Sequence, residues 1–337
     1  MPTGQQGYAG GAISDQLQLL QDIRSELALY NKTIDPWVDR LSEKTIRQTL
    51  RVAQAPKSFR QKADGGNSNS SNVVYRLLSV PFKTYDLNSE FTVEWLQDAL
   101  ASDVMAEMSA AIAGDVELVN ALFFAALFTK QTVGGNGTAY QAGFYNGETD
   151  APSYKNNTFS GAHAHYAGLN TVTLALSHIQ SMKIDLQEHG YGLTPGSLYL
   201  FANSAESSKL LNLANTNAAN SVLQAMTMQR QKGIDYGVVG TGWVLEGAQV
   251  VITDDVPAGY VAMVAADVKP IAMREHFNST YAGLQDYTES YNSQYPLAGM
   301  RFMRRVGFSV QHLGAGTCRQ LVASNTYTNP TFRSPVE

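Results

Sequence analysis

Two strand-forming runs joined by a long polar stretch constrain this chain more than any other feature. The first, Thr45-Ile46-Arg47-Gln48-Thr49-Leu50-Arg51-Val52, alternates apolar and polar side chains. The second, Val73-Val74-Tyr75-Arg76-Leu77-Leu78-Ser79-Val80, is rich in β-branched and aromatic residues. Between them Asp64-Gly65-Gly66-Asn67-Ser68-Asn69-Ser70-Ser71-Asn72 carries no apolar side chain, which suits a solvated tip. Residues 45–85 therefore read as one β-hairpin. Arms of roughly 18 residues at about 3.3 Å each reach about 60 Å, whereas a compact domain of this length has a radius of gyration of about 20 Å. A lone two-stranded ribbon is marginal in water, so such an arm must draw its stability from other subunits. The pattern is that of an assembly protein.

The rest of the composition agrees. The 337 residues are 44% apolar, enough for one large or two medium cores, yet only 16% are charged, with 28 Gly and 17 Tyr. Low charge with many small polar and aromatic residues suits a surface covered by neighbours. A net charge of −5 argues against a dedicated nucleic-acid binder. The single cysteine, Cys318, excludes an internal disulfide framework and fits a reducing compartment. Met1-Pro2-Thr3-Gly4-Gln5-Gln6-Gly7 lacks the basic and apolar regions of a signal peptide, and no run approaches 18 consecutive apolar residues.

Leu17, Leu20, Ile23 and Leu27 predict a helix over 15–30, with Ser14 as N-cap and Pro36 interrupting before a short helix over 37–44. Thr92 can cap a short helix through Leu100, and Ser102 a longer one. In the longer helix Val104, Met108, Ile112, Val116, Val119, Phe123 and Ala126 form one apolar stripe that ends before Gly134-Gly135-Asn136-Gly137. Leu169, Val172, Leu176, Ile179, Met182 and Leu186 predict a helix over 166–189, stopped by Gly190 and Gly192. A buried strand follows at 197–201, then a helix capped by Ser204, a long loop over 214–242, and strands over 244–252, 260–266, 270–277 and 301–312. No internal repeat is visible.

Three passages in this order resemble the major capsid proteins of tailed bacteriophages, the Hong Kong 97-type fold. Ala101-Ser102-Asp103, leading into the long helix and its Gly/Asn turn, resembles the family's spine helix. Residues 245–259, from Leu245 through Thr253-Asp254-Asp255-Val256-Pro257 to Gly259, resemble the strand and turn of its axial domain. Met300-Arg301-Phe302-Met303-Arg304-Arg305-Val306-Gly307-Phe308 resembles its long peripheral strand. The resemblance implies an α+β fold with an N-terminal arm (1–44), an extended loop (45–91), a peripheral domain (92–160 with 269–313) and an axial domain (161–268 with 314–337). It further implies hexamers and pentamers closing into an icosahedral shell around packaged double-stranded DNA, assembled in the host bacterial cytoplasm. The implied partners are other copies of the chain, a scaffolding protein, a portal protein, DNA by non-specific contact, and decoration or minor capsid proteins, with no membrane and no cofactor. Only about 44 residues precede the hairpin, so the scaffold is expected to be a separate protein, or the chain to be numbered from its mature start.

Enzymatic signals are weak. His163-Ala164-His165 offers two imidazoles at i, i+2, but a metal site needs a third ligand and none is apparent nearby, so the pair reads as polar residues entering a helix. Asp254-Asp255 lies where turn chemistry expects Asp. The glycines of 237–242 precede no clear helix, and neither a Walker A loop, Gly-x-Ser-x-Gly nor His-Glu-x-x-His occurs. Cys318 reads as a buried, inert thiol. No catalytic or metal residue is therefore expected. The alternatives are a bacterial encapsulin-like nanocompartment shell and, more remotely, a metal-dependent hydrolase using His163, His165 and Asp254.

Charge says more. Arg47, Arg51, Lys57, Arg60 and Lys62 occupy 45–63 with no acidic residue. They serve to keep the arm from aggregating, to pair with carboxylates on an adjacent subunit, or to contact DNA directly. On a strand Arg301 and Arg305 share one face and Phe302, Arg304 and Val306 the other, which predicts intersubunit pairing or exposure on the shell's inner surface. Some family members crosslink a loop lysine to a neighbour's asparagine. Lys57 or Lys62 with Asn278 or Asn292 would be the counterparts here, but no base in a dry pocket is marked, so shells without covalent bonds are expected.

Overall fold

The computed structural model describes residues 13–32, 36–53, 75–92, 95, 98–130, 140–141, 143–147, 154–155, 157–215, 228–230, 240–278, 281–287 and 299–332. In chain order the elements are helices α1 (Ile13–Tyr30) and α2 (Pro36–Leu41), and strands β1 (Ser42–Thr45), β2 (Thr49–Ala53), β3 (Tyr75–Ser79) and β4 (Lys83–Glu90). Helix α3 (Ala101–Phe128), strands β5 (Tyr140–Gln141) and β6 (Tyr166–Gly168), helix α4 (Leu176–Glu188), strand β7 (Leu198–Ala202) and helix α5 (Ser207–Asn215) follow. The remainder is β: β8 (Met228–Arg230), β9 (Gly240–Leu245), β10 (Ala248–Ile252), β11 (Tyr260–Ala265), β12 (Ile271–Arg274), β13 (Leu284–Asp286), β14 (Gly299–Val310) and β15 (Gly316–Gln320).

Two compact units divide the chain. The first comprises 1–35, 82–120 and 274–307. Its core joins Leu19, Leu20, Ile23 and Leu27 of α1 to Val104, Met108 and Ala111 of α3 and to Leu284, Met300 and Phe302 of the sheet. Here β14 pairs antiparallel with β4 over eight residues, Lys83↔Val306 to Glu90↔Gly299, and with β13. The alternation read along β14 holds: Phe302, Arg304 and Val306 are buried while Arg301, Met303 and Arg305 are half-buried.

The helix α3 starts at Ala101 rather than after Ser102, and the Asp103 carboxylate accepts from the Leu100 N–H at 2.9 Å, doing the work of a cap. Thr92 Oγ1 accepts from Trp95 N–H at 3.1 Å, as expected of a capping residue. By length and composition α3 could cross a membrane. Within the first unit, however, it buries Val104, Met108, Ala111 and Leu118 on one face, as a core helix does.

The second unit comprises 36–81, 121–273 and 308–337. Its seven-stranded mixed sheet has the order β6-β15-β11-β7-β10-β9-β8. Strand β7 is buried throughout: Leu198, Leu200 and Ala202 join Ile179, Met182 and Leu186 of α4, while Tyr199 and Phe201 meet Trp37 edge-on at ring separations of 5.4 and 5.6 Å. Burial on both faces explains the unbroken apolar run. Helix α2 ends at Leu41, so Ser42–Thr45, read as helical, is a strand in the sheet that holds β12. The single strand expected over 244–252 is a hairpin, β9 with β10. Its two-residue turn uses Glu246 (φ 53°) and Gly247 (φ 84°), the pair of left-handed residues a type I′ turn requires. The helix expected from Tyr166 begins only at Leu176, because Tyr166–Gly168 pairs parallel with β15.

Candidate functional site

The hairpin base is present as read. Strands β2 and β3 pair antiparallel from Thr49↔Ser79 to Ala53↔Tyr75, and β3 pairs parallel with β5. Thr45 belongs instead to β1, and Lys83–Glu90 to the strand on β14, so the hairpin proper is shorter at its base than 45–85. Arg47 and Arg51 are exposed, while Lys57, Arg60 and Lys62 lie outside the described residues. Exposed cations of this kind contribute only about 0–1 kcal/mol each to a subunit, but a closed shell repeats each contact many times. In the shell that the sequence resemblance implies, reversing both, Arg47→Glu with Arg51→Glu, is expected to lower the yield of intact shells while leaving the melting of unassembled subunits unchanged. Normal shell yields would count decisively against an intersubunit role.

Arg301, Arg304 and Arg305 are treated differently by the fold. Arg301 is half-buried and lies 3.5 Å from the exposed Asp86, a weak surface pair. Arg305 is half-buried, and its Nε has no acceptor among the described residues. Arg304 is buried, and its partners come from its own chain. One guanidinium nitrogen donates to Asp115 Oδ2 at 3.0 Å, and the other lies 3.8 Å from Glu275. Tyr30 OH donates to the same Asp115 oxygen at 2.7 Å. Burial raises the Asp115 carboxyl above its ordinary range, while Arg304 and Tyr30 pull it back. The apolar stripe expected through Val116 runs one residue earlier: Val116 is exposed, and Asp115 takes the buried position because Arg304 waits there.

The histidines gain what their sequence spacing lacked. His163-Ala164-His165 runs as an extended bridge beside Tyr145–Gly147, with Gly147 N–H donating to the His163 carbonyl and His165 N–H to that of Tyr145. Alternation puts both rings on one side. The third ring is His189, the C-cap of α4, fixed by the Gly190 (φ 86°) turn in which Tyr191 N–H donates to the Leu186 carbonyl at 3.1 Å. The three Nε2 atoms converge: 3.0 Å from His163 to His165, 2.9 Å from His163 to His189 and 3.1 Å from His165 to His189. His165 is fully buried, and its Nδ1 lies 2.5 Å from the Gly316 carbonyl. Burial holds its pKa well below the imidazole norm, and burial followed by the His163 charge pushes His189 down to about 4. Phe159 and Tyr145 stack on His189 at 4.0 and 5.0 Å.

Asp254 does not join this group. It accepts from the Ser204 hydroxyl, in the turn after β10. Cys318 is buried, contacts the Leu127 carbonyl at 3.3 Å and has its thiol pKa raised by burial, so it is an inert core residue as read. Of the crosslinking candidates Asn278 is exposed next to His276, while Lys57, Lys62 and Asn292 lie outside the described residues.

The long helix, the strand pair β4–β14 and the mixed seven-stranded sheet belong to an α+β fold of the Hong Kong 97 type. Similarity to the solved structure titled Mycobacterium phage Patience carries that assignment, with 22% identity and a TM-score of 0.65 over 98% of this chain and 97% of that one. Weaker matches include the capsid of the native GTA particle (13% identity, TM-score 0.48, 86% of this chain and 91% of that one). Another is the holo-SrpI encapsulin complex from Synechococcus elongatus (11%, 0.44, 89% and 91%). Neither of these two carries an argument by itself. No protein-family model matches the chain, and no curated protein does.

Proposed function

We propose that this chain is the major capsid protein of a tailed bacteriophage, a structural protein rather than an enzyme. It self-assembles as hexamers and pentamers into an icosahedral shell around packaged double-stranded DNA. The observation that carries the reading is the fold similarity to the phage Patience structure, which covers 98% of this chain and 97% of that one. In this reading 1–44 is the N-terminal arm, 45–91 the extended loop, 92–160 with 269–313 the peripheral domain, and 161–268 with 314–337 the axial domain. Arg47, Arg51, Lys57, Arg60, Lys62 and Arg301 face neighbouring subunits, with a scaffolding protein and a portal joining during assembly in the bacterial cytoplasm.

Electron microscopy of the purified, expressed protein tests this directly. Closed shells are expected, either from the chain alone or on co-expression with its scaffold. Boiled in denaturant, those shells should run as a single band near 36.6 kDa, since no covalent bond is expected between subunits. A protein that stays monomeric under both conditions would sink the shell reading. A ladder of multiples that survives boiling would overturn the non-covalent part alone and direct attention to Lys57 and Lys62.

A further inference from the structure

We propose that His163, His165 and His189 bind one zinc ion through their Nε2 atoms, a site that fastens the extended segment before β6 to the C-terminal end of α4. The geometry carries the assignment. Three ring nitrogens meet at 2.9–3.1 Å from one another. Ligand nitrogens about 2.0–2.1 Å from a tetrahedral zinc stand roughly 3.3 Å apart, so the trio needs to open by only a few tenths of an ångström.

Hydrogen bonds among the rings do not account for this convergence. A carbonyl oxygen only accepts, so the contact with Gly316 makes His165 Nδ1 the donor. In the neutral ring Nε2 is then a bare lone pair aimed at the other two rings. One proton on either His163 or His189 can serve a single pair at a time. The remaining pairs then set lone pair against lone pair, or proton against proton, at about 3 Å. A cation accepting all three lone pairs resolves every contact together. A histidine that donates its far nitrogen to a backbone carbonyl is also the usual outer support of a zinc ligand, since it fixes the tautomer and ring orientation.

The surroundings favour fastening over catalysis. The backbone of His165 is pinned on three sides. Its carbonyl accepts from Cys318 N–H at 2.7 Å, Thr317 Oγ1 at 3.0 Å and Arg319 at 3.2 Å. Phe159 and Tyr145 wall the rings with aromatic surface. Three protein ligands leave a fourth position for water, and general-base assistance to that water, as distinct from the ion's own lowering of its pKa, would need a free carboxylate close by. Asp185 is engaged by Arg319 and by Thr317 Oγ1, and no carboxylate joins the three rings among the described residues. The ion would close the chain between residues 163 and 189, tying two segments of the second unit that the sheet does not join directly. Imidazole nitrogen donors in a tetrahedral setting suit zinc ahead of calcium or magnesium, which take oxygen.

The test uses the full-length chain, expressed in zinc-supplemented medium and purified without chelator, with metal measured by inductively coupled plasma mass spectrometry. About one zinc per chain is expected, with X-ray absorption showing nitrogen neighbours at about 2.0–2.1 Å. Exchange into cobalt(II) should give the visible bands of a tetrahedral centre. His163→Asn and His189→Asn, at the two rings less enclosed than His165, should each lose at least tenfold in zinc affinity while keeping the wild-type circular dichroism spectrum. Removing zinc with a chelator should lower the melting temperature of the wild type and leave that of the double variant unmoved. Metal-free protein from zinc-replete cells that also fails to take up added zinc or cobalt would overturn the site. Full zinc retention by the double variant would overturn these ligands. Zinc-dependent ester hydrolysis lost in the variants would overturn the fastening role.

Discussion

Replacing Arg304 with methionine is expected to destabilise the unassembled subunit by about 3–5 kcal/mol, the range found when one partner of a buried ion pair is removed. Methionine keeps the volume of the stem but leaves the Asp115 carboxylate, only 4% exposed, facing Tyr30 alone. The loss should depend on pH in a defined direction. Burial already raises the Asp115 carboxyl and Arg304 opposes the rise, so its removal lets the folded-state value climb further. A group whose folded value lies above its unfolded one gives its full stabilisation below the unfolded value, about 4 for a carboxylate. That stabilisation is lost as pH rises through the folded value. The deficit of Arg304→Met should therefore be greatest near neutral pH and shrink on acidification towards the unfolded carboxylate range. Adding Asp115→Asn, which removes the stranded charge and still accepts from Tyr30, should recover most of the stability at neutral pH. Urea denaturation at several pH values measures all three quantities. A single variant within 1 kcal/mol of wild type at pH 7 would show that the pair is not the fastening its geometry suggests.

That pair also marks where sequence reading stops. The period of β14 was legible, since two-residue alternation sorts Phe302, Arg304 and Val306 from their neighbours without further help. What Arg304 meets was not, because Asp115 lies 189 positions away and a carboxylate inside an apolar helix reads as a surface residue. Taking that acid for a surface residue put the predicted stripe on Val116, which is exposed, when Asp115 holds the buried position. Residues 166–174 failed for a related reason. Leu169 and Val172 continue the spacing of Leu176 and Ile179, but Tyr166–Gly168 is claimed by β15, whose Cys318 pairs with Tyr166. Parallel pairing at that separation leaves no local signature. The turn Glu246-Gly247 was hidden by its first residue, because Glu rarely takes a positive φ and the flanking apolar residues run on unbroken. At the histidines two rings could be read from i, i+2 spacing. The third could not, since a helix C-cap before Gly190 carries no mark of where its side chain goes. The resemblance in passage order, by contrast, led to the right fold because it does not depend on any one boundary.

Deleting Pro56 to Asn72 is expected to abolish stable shells while leaving a soluble subunit with its helical circular dichroism unchanged. The paired residues closest to the deletion are Ala53 and Tyr75, so the cut spares every residue of β2 and β3. Gln54, Ala55, Val73 and Val74 remain as a connection of four residues, a length at which hairpins close readily. The entropic cost of closing the shorter loop falls by about 1.5 kcal/mol, so the subunit's melting temperature should hold or rise slightly. Among the described residues, the core of the second unit draws on α4, β7, β10 and β11. What the deletion removes is reach. In the proposed reading these residues serve the contacts between subunits and not the fold of one, so the damage belongs in assembly. Light scattering and microscopy of shells, set beside circular dichroism of subunits, separate the two. A collapsed helical spectrum in the deletion variant would place the arm in the subunit core, and intact shells would remove it from the assembly interface. A larger cut from Thr49 to Ser79 provides the contrast. It takes β2 and β3 away from β5, and it is expected to lower the melting temperature of the subunit as well as to prevent assembly.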